Sequence, residues 1–132
     1  MNAIVKVMIA NLYEKTDLKS ELVDEALYGM PVEVLEEIDE TWVKIRTFYR
    51  YDGYVLKVNL EIGTEMLTSW ISNANYVISQ SFADVLTSPK IQSEKLITLT
   101  RGAFIRVVEE AGLEPTWTKV QLVTGQMGYV RT

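Results

Sequence analysis

One segment of this chain occurs twice, and the duplication limits the architecture more than any single motif. Gly29-Met30-Pro31-Val32-Glu33-Val34-Leu35-Glu36-Glu37 runs on to Trp42 and closes on Gly53-Tyr54-Val55. Gly102-Ala103-Phe104-Ile105-Arg106-Val107-Val108-Glu109-Glu110 runs on to Trp117 and closes on Gly128-Tyr129-Val130. The spacing is 73 residues from Ala10/Ala83 to Gly29/Gly102 and 75 from Trp42/Trp117 onward, so two extra residues enter the second copy between Glu110 and Trp117. An internal repeat fixes the unit of folding, and this period is too long for one turn of a solenoid. Each copy therefore reads as a small domain, of a size (about 55 residues) that buries only about 60% of its unfolded surface. The expected division is 1–60 for the first unit, 61–76 for a linker and 77–132 for the second.

Within a copy the pattern is that of short strands. Ile4 to Ile9 is rich in β-branched residues and predicts an opening strand. Ala10-Asn11-Leu12 follows, and Glu14 to Ser20 has the composition of a long loop. Leu22 to Leu27 fits a strand or a helical turn, and Leu96-Ile97-Thr98-Leu99 at the same place in the second copy favours strand. Gly29-Met30-Pro31 predicts a turn. Val32 to Glu36 and Trp42 to Thr47 alternate apolar and polar, the period of a half-buried strand. In the second of these, Trp42 and Lys44 share one face and Val43 and Ile45 the other. Phe48 to Asp52 predicts a tip carrying two tyrosines, before a last short strand from Gly53. The second copy repeats the order, with a longer hairpin loop over Ala111 to Thr116. Many short strands at such spacing, with no helical pattern inside a copy, predict an all-β chain of two small antiparallel barrels. In the linker, Glu65 to Ile71 has helical spacing with Thr64 as a candidate N-cap, its apolar positions sharing a face that suits packing against a barrel.

Composition excludes several chemistries. Neither cysteine nor histidine occurs, which removes disulfides, thiolate and imidazole metal ligands, a cysteine nucleophile and the commonest general base near neutral pH. Glu36-Glu37 and Glu109-Glu110 do not make a paired-carboxylate site, because neighbours on a strand point to opposite faces. No phosphate-binding loop is present, and no cofactor is expected. The net charge of −5 argues against nucleic acid or an anionic membrane as partner. The charge is uneven: residues 10–60 carry eleven acids against six bases, while residues 83–132 carry five against six. The first copy is the better host for a cationic group. Met1 to Ile9 is short and interrupted by Lys6, neither a signal peptide nor a spanning helix. That places the chain in the cytoplasm, or in the cell envelope where a signal has been removed. Copy one continues past Val55 through Val58 and Leu60, whereas copy two stops two residues after Val130, as a domain cut from a longer chain would.

This order of motifs resembles the bacterial SH3 domain, and above all the tandem pair that precedes the catalytic domain of NlpC/P60 cell-wall peptidases of the γ-D-glutamyl-L-diamino acid endopeptidase type. In the first copy the matching residues are Ala10-Asn11-Leu12, Ser20 to Val23, Gly29, Pro31 to Glu37, Trp42 and Gly53-Tyr54-Val55. In the second they are Phe82 to Leu86, Leu99, Arg101-Gly102, Val107, Glu109-Glu110, Trp117, Lys119-Val120, Gly125 and Gly128-Tyr129-Val130. The resemblance implies two SH3-like barrels that do no chemistry themselves. It also implies that the first barrel recognises the free N-terminus of a short murein peptide beginning L-Ala-γ-D-Glu, for an NlpC/P60 catalytic domain in cis or in trans. The resemblance implies contacts from a tyrosine two residues before the final Gly-aromatic-Val, which is Tyr51 here, and from an acidic position that falls close to Lys15, with Glu14 beside it.

The residues themselves give a second line to the candidates. Tyr54 has a counterpart in Tyr129, so its role is structural. Tyr49 and Tyr51 face Thr124 and Gln126 in the second copy, which makes them ligand candidates. Trp42, kept as Trp117, fits either an aromatic floor for a peptide or barrel packing. The candidate ligand-binding set is Tyr51, Tyr49, Glu14 and Trp42, with no catalytic and no metal-binding residue. The alternative function is a stand-alone protein-interaction module made of the two barrels.

Overall fold

The structure is a computed structural model and describes residues 2–63, 68–70, 76–109 and 117–131. Thirteen strands among the described residues make two antiparallel sheets, each curled around its own core. The first sheet contains β1 (Asn2–Val5), β2 (Ile9–Tyr13), β3 (Leu22–Leu27), β4 (Pro31–Glu37), β5 (Trp42–Thr47), β6 (Asp52–Leu56) and β7 (Leu60–Ile62), with a 3-10 turn at Lys57–Asn59 between the last two. Their order is β3-β2-β6-β5-β4-β1-β7. The second contains β8 (Tyr76–Val77), β9 (Phe82–Leu86), β10 (Lys95–Thr100), β11 (Phe104–Glu109), β12 (Trp117–Gln121) and β13 (Met127–Arg131), in the order β10-β9-β13-β12-β11-β8. The all-β, two-barrel reading is therefore right, and the duplication in sequence is a duplication of strand order.

The alternating strands bury the faces that their period assigns. Val43 and Ile45 of β5, Val32 of β4, Ala10 and Leu12 of β2 and Val55 of β6 meet in the first core. Full burial of each larger aliphatic side chain contributes about 1.5–3 kcal/mol. Leu22–Leu27 is a strand, the alternative that the second copy favoured. The opening run Ile4–Ile9 differs from expectation, because it is broken at Lys6–Met8. The chain must leave β1, which pairs with β4 and β7, and enter β2, which pairs with β3 and β6. The corner is held by the Lys6 backbone N–H donating to the Asn59 carbonyl at 3.0 Å and by Lys6 Nζ against Glu61 at 3.2 Å. The first sheet extends to Ile62. Residues 68–70 are helical, whereas 64–67 and 71, the rest of the expected linker helix and its cap, lie outside the described residues.

The two cores meet through side chains that local patterning does not announce. Tyr28, at the turn that ends β3, is 2% exposed and belongs with Ile4 and Trp70 to the core of the second barrel. Its hydroxyl accepts the backbone N–H of Val123 at 2.8 Å, and burial pushes its pKa up to about 12. Trp70 stacks edge-on against Tyr28 and donates its indole N–H to the Gly29 carbonyl at 2.9 Å. The Phe104 N–H donates to the Tyr28 carbonyl at 2.8 Å. Gly29 has φ +79°, and a Cβ there would overlap the Phe104 carbonyl oxygen. Only glycine meets both demands at once.

Candidate ligand-binding site on the first barrel

The tip between β5 and β6 is a tight turn organised by one buried hydroxyl. Thr47 is the buried polar side chain of the described residues, at 2% exposure. Its backbone N–H donates to the Tyr51 carbonyl at 2.9 Å, its carbonyl accepts from the Arg50 N–H at 2.9 Å, and its Oγ1 accepts from the Tyr51 N–H at 3.0 Å. Arg46 closes the base of the hairpin with two hydrogen bonds to Asp52, at 2.7 and 2.9 Å, a paired geometry that suits guanidinium and carboxylate. That contact holds the Asp52 carboxyl below its ordinary pKa and Arg46 above its own.

The same turn in the second copy joins Leu122 to Gln126, with Gly125 at φ +94°. In the first copy the left-handed position is Arg50, at φ +69° and the only non-glycine with positive φ among the described residues. A left-handed non-glycine residue costs about 1 kcal/mol or more, and such strain gathers where a loop has a task besides folding. The second tip is used for packing, since Val123 is fully buried and bonded to Tyr28. The first tip instead displays aromatic rings. Phe48 and Tyr51 are each 59% exposed, and Tyr49 is 38% exposed. Tyr49 stands between the other two, 5.0 Å from Phe48 and 5.6 Å from Tyr51, edge-on to both. Phe48 in turn lies 6.1 Å from Phe104 of the second barrel.

Beside the rings lies a carboxylate that the sequence reading did not single out. Asp24 of β3 is partly buried, and its Oδ2 has no hydrogen-bond partner among the described residues. The Tyr49 hydroxyl has one proton to give and lies within reach of both the Glu25 carbonyl, at 3.3 Å, and the Asp24 carboxylate. Burial first, then the bond to Asp24 and its charge, push Tyr49 up to about 12. The Asp24 carboxylate thus has a buried oxygen and a tyrosine proton that it shares with a backbone carbonyl, an arrangement with room for a further donor. A signal for it existed in the sequence: the position of Asp24 is occupied by Ile97 in the second copy.

The four residues expected at the site divide into three places. Tyr49 and Tyr51 come together at the tip. Glu14 is exposed and lines a different, shallow groove of about 340 Å³ with Lys15, Thr16, Ile38 and Tyr54. Trp42 is 8% exposed and packs edge-on against Tyr13 at 5.7 Å, while Lys44, on the same face of β5, lies 5.8 Å over the Tyr54 ring. Among the described residues no cluster of three or more acidic side chains is placed to hold a metal ion, and no helix is long and apolar enough to cross a membrane. Exposed ring faces beside a buried carboxylate oxygen can bind a small cation such as an ammonium group, the ring faces and the carboxylate both favouring positive charge.

Residues 10–61 match the family model of the bacterial SH3 domain. Dipeptidyl-peptidase 6 of Lysinibacillus sphaericus is 50% identical over the whole chain, and the chain spans 49% of that protein. The crystal structure of an NlpC/P60 family protein from Bacillus cereus superposes over the whole chain with a TM-score of 0.79, at 15% identity and over 54% of its own chain. The first comparison matches the first barrel alone, and the third shows the fold of the pair. The chain thus spans about half the length of the curated relative it matches.

Proposed function

We propose, from the premise that residues 10–61 form a bacterial SH3 domain, that this chain is a non-catalytic cell-wall binding module which presents short murein peptides to an NlpC/P60-type catalytic domain. The ligand end it recognises is a free α-ammonium group. Tyr49, Tyr51 and Phe48 supply ring faces, and Asp24 supplies the charge. The observation that carries this reading is the buried Asp24 Oδ2, with only the shared Tyr49 proton near its carboxylate, beside a strained, aromatic tip whose counterpart in the second copy has a relaxed Gly125 and a buried Val123. Support for the cell-wall context comes from the NlpC/P60 protein that shares the fold of the barrel pair. In this role the module brings binding energy and orientation, while the nucleophile and base belong to the catalytic domain.

The test is a titration of the isotope-labelled chain with L-Ala-γ-D-Glu and with its N-acetylated form, followed by backbone amide shifts. Millimolar binding of the free peptide is expected, with the largest shifts at residues 24–25 and 48–52, and the acetylated peptide should leave these residues unmoved. Tyr51→Ala and Asp24→Asn should each abolish the response. Equal shifts with both peptides would remove the ammonium from the reading, and no shift with either would remove the ligand class.

A further inference from the structure

The internal duplication supplies a control for a gap in the second barrel. An open apolar cavity of about 350 Å³ enters it beside β8, walled by Ile78, Ala83, Ile105, Val107, Val120 and Val130. By the 73- and 75-residue spacings these match Val5, Ala10, Val32, Val34, Ile45 and Val55 of the first barrel. There Val5, Ala10, Val32, Ile45 and Val55 share one buried core with Leu60, which is 4% exposed, and Val34 and Ile62 pack against that core. Leu60 and Ile62 come from β7, which runs antiparallel to β1 and sets Leu60 opposite Val5 and Glu61 opposite Ile4. The second sheet ends at β8, and no described strand stands where β7 stands in the first. The matching side chains record the difference. Val5 and Val55 are fully buried, whereas Ile78 and Val130 keep 9% and 8% exposure.

We infer that this cavity is the seat of a seventh strand, supplied by the segment that follows position 132 in a chain as long as the relative from Lysinibacillus. The 75-residue spacing places the counterparts of Leu60 and Ile62 at the third and fifth positions beyond Thr132. The incoming strand runs antiparallel to β8, sets the first of these residues opposite Ile78, and seats aliphatic side chains over Ile105, Val120 and Val130. Addition of a strand to a sheet edge combines main-chain hydrogen bonds with pockets for alternate side chains, and it also covers an edge that would otherwise template aggregation. The second barrel is completed from outside the residues described, and the seat fixes where the following part of the chain leaves the barrel. This inference does not depend on the peptide reading.

Two extended forms of the chain test it. One carries Val-Asn-Leu-Glu-Ile after Thr132, the sequence of residues 58–62; the other carries Val-Asn-Ser-Glu-Ser. The first should slow amide exchange at Val77 and Ser79, the latter the counterpart of Lys6 whose N–H donates to Asn59, on the order of tenfold or more relative to the second, and should raise the melting temperature. Identical exchange in the two forms would overturn the strand seat. The source is tested in the full-length Lysinibacillus relative, by serine substitution of the third and fifth residues after the position aligned with Thr132. Loss of protection at the residues aligned with Val77 and Ser79 is expected. Protection that survives the substitution would overturn the assignment of the following segment.

Discussion

Alanine at Gly29 and alanine at Gly63 should separate the cost of backbone conformation from the cost of parting the barrels. Both glycines have positive φ, +79° and +65°, so each substitution bears the left-handed penalty of about 1–2 kcal/mol. Around Gly63 the added Cβ meets nothing within 4 Å. At Gly29 it overlaps the carbonyl oxygen of Phe104 and stands 2.9 Å from its carbonyl carbon. Backbone cannot swing aside as a flexible side chain does, so the second barrel must shift. The hydrogen bonds from Phe104 N–H to Tyr28 and from Trp70 Nε1 to Gly29 span that contact. They are worth about 1 kcal/mol each. Gly29→Ala should therefore lose about 3–4 kcal/mol and Gly63→Ala about 1–2, out of a total stability of about 5–15 kcal/mol. Urea denaturation followed by tryptophan fluorescence measures both, and the Trp70 indole N–H resonance should move only in Gly29→Ala. If the two variants lose the same free energy to within about 0.5 kcal/mol, the close approach of the barrels is not what holds them together.

Three further outcomes follow from the same contacts. Tyr28→Phe keeps the ring but strands the buried N–H of Val123, and should cost about 1–3 kcal/mol in urea denaturation. The Tyr28 hydroxyl has a folded pKa of about 12 against about 10 when unfolded, so its neutral form is favoured by the fold. The contribution is complete below pH 10 and is lost as pH rises from 10 through 12. The denaturation midpoint should fall across that window in the parent chain and fall less in Tyr28→Phe. Asp24→Asn removes the buried charge beside Tyr49, so in the absence of ligand it should raise stability by about 1 kcal/mol or leave it unchanged. The same variant should bring the Tyr49 titration, followed by ultraviolet absorbance, down from about 12 toward 10, because the bond to Asp24 and its charge both raise it.

Where the sequence was legible, a repeated pattern made it so. Period-2 alternation in Val32–Glu36 and Trp42–Thr47 placed β4 and β5, and the second copy decided Leu22–Leu27, where one copy alone could not. The misread element, Ile4–Ile9, is uniformly β-forming, and nothing local marks the corner at Lys6–Met8. That corner exists because β1 and β2 need different partners in the sheet, a tertiary demand with no trace in propensity. Tyr28 was illegible for a related reason. It sits beside the Gly-Met-Pro turn of the first barrel and is buried by the second, and burial against another domain follows no period in its own.

The two copies also explain why the candidate site could be read only in part. A site shows as a difference between copies, and Tyr49 and Tyr51 stood out because Thr124 and Gln126 answer them. Asp24 against Ile97 and Arg50 against Gly125 are differences of the same kind. One is a carboxylate in place of an aliphatic side chain on a strand; the other is a strained residue in place of a relaxed one. Neither is an aromatic residue at an exposed tip, so neither fits the usual image of a ligand contact. Their meaning depends on quantities that sequence does not carry: the sign of φ at residue 50 and the missing donor at Asp24 Oδ2. In the second barrel the logic inverts, because the informative difference is an absence. Six apolar residues of the cavity wall have aliphatic counterparts in the first barrel, and no described residue takes the place of Leu60. The first copy has a strained, aromatic, displayed tip and a core closed by Leu60, while the second has a relaxed tip with Val123 buried and a core with an open cavity. The two proposals made above, a ligand at the first tip and a strand in the second cavity, both rest on such departures of one copy from the other.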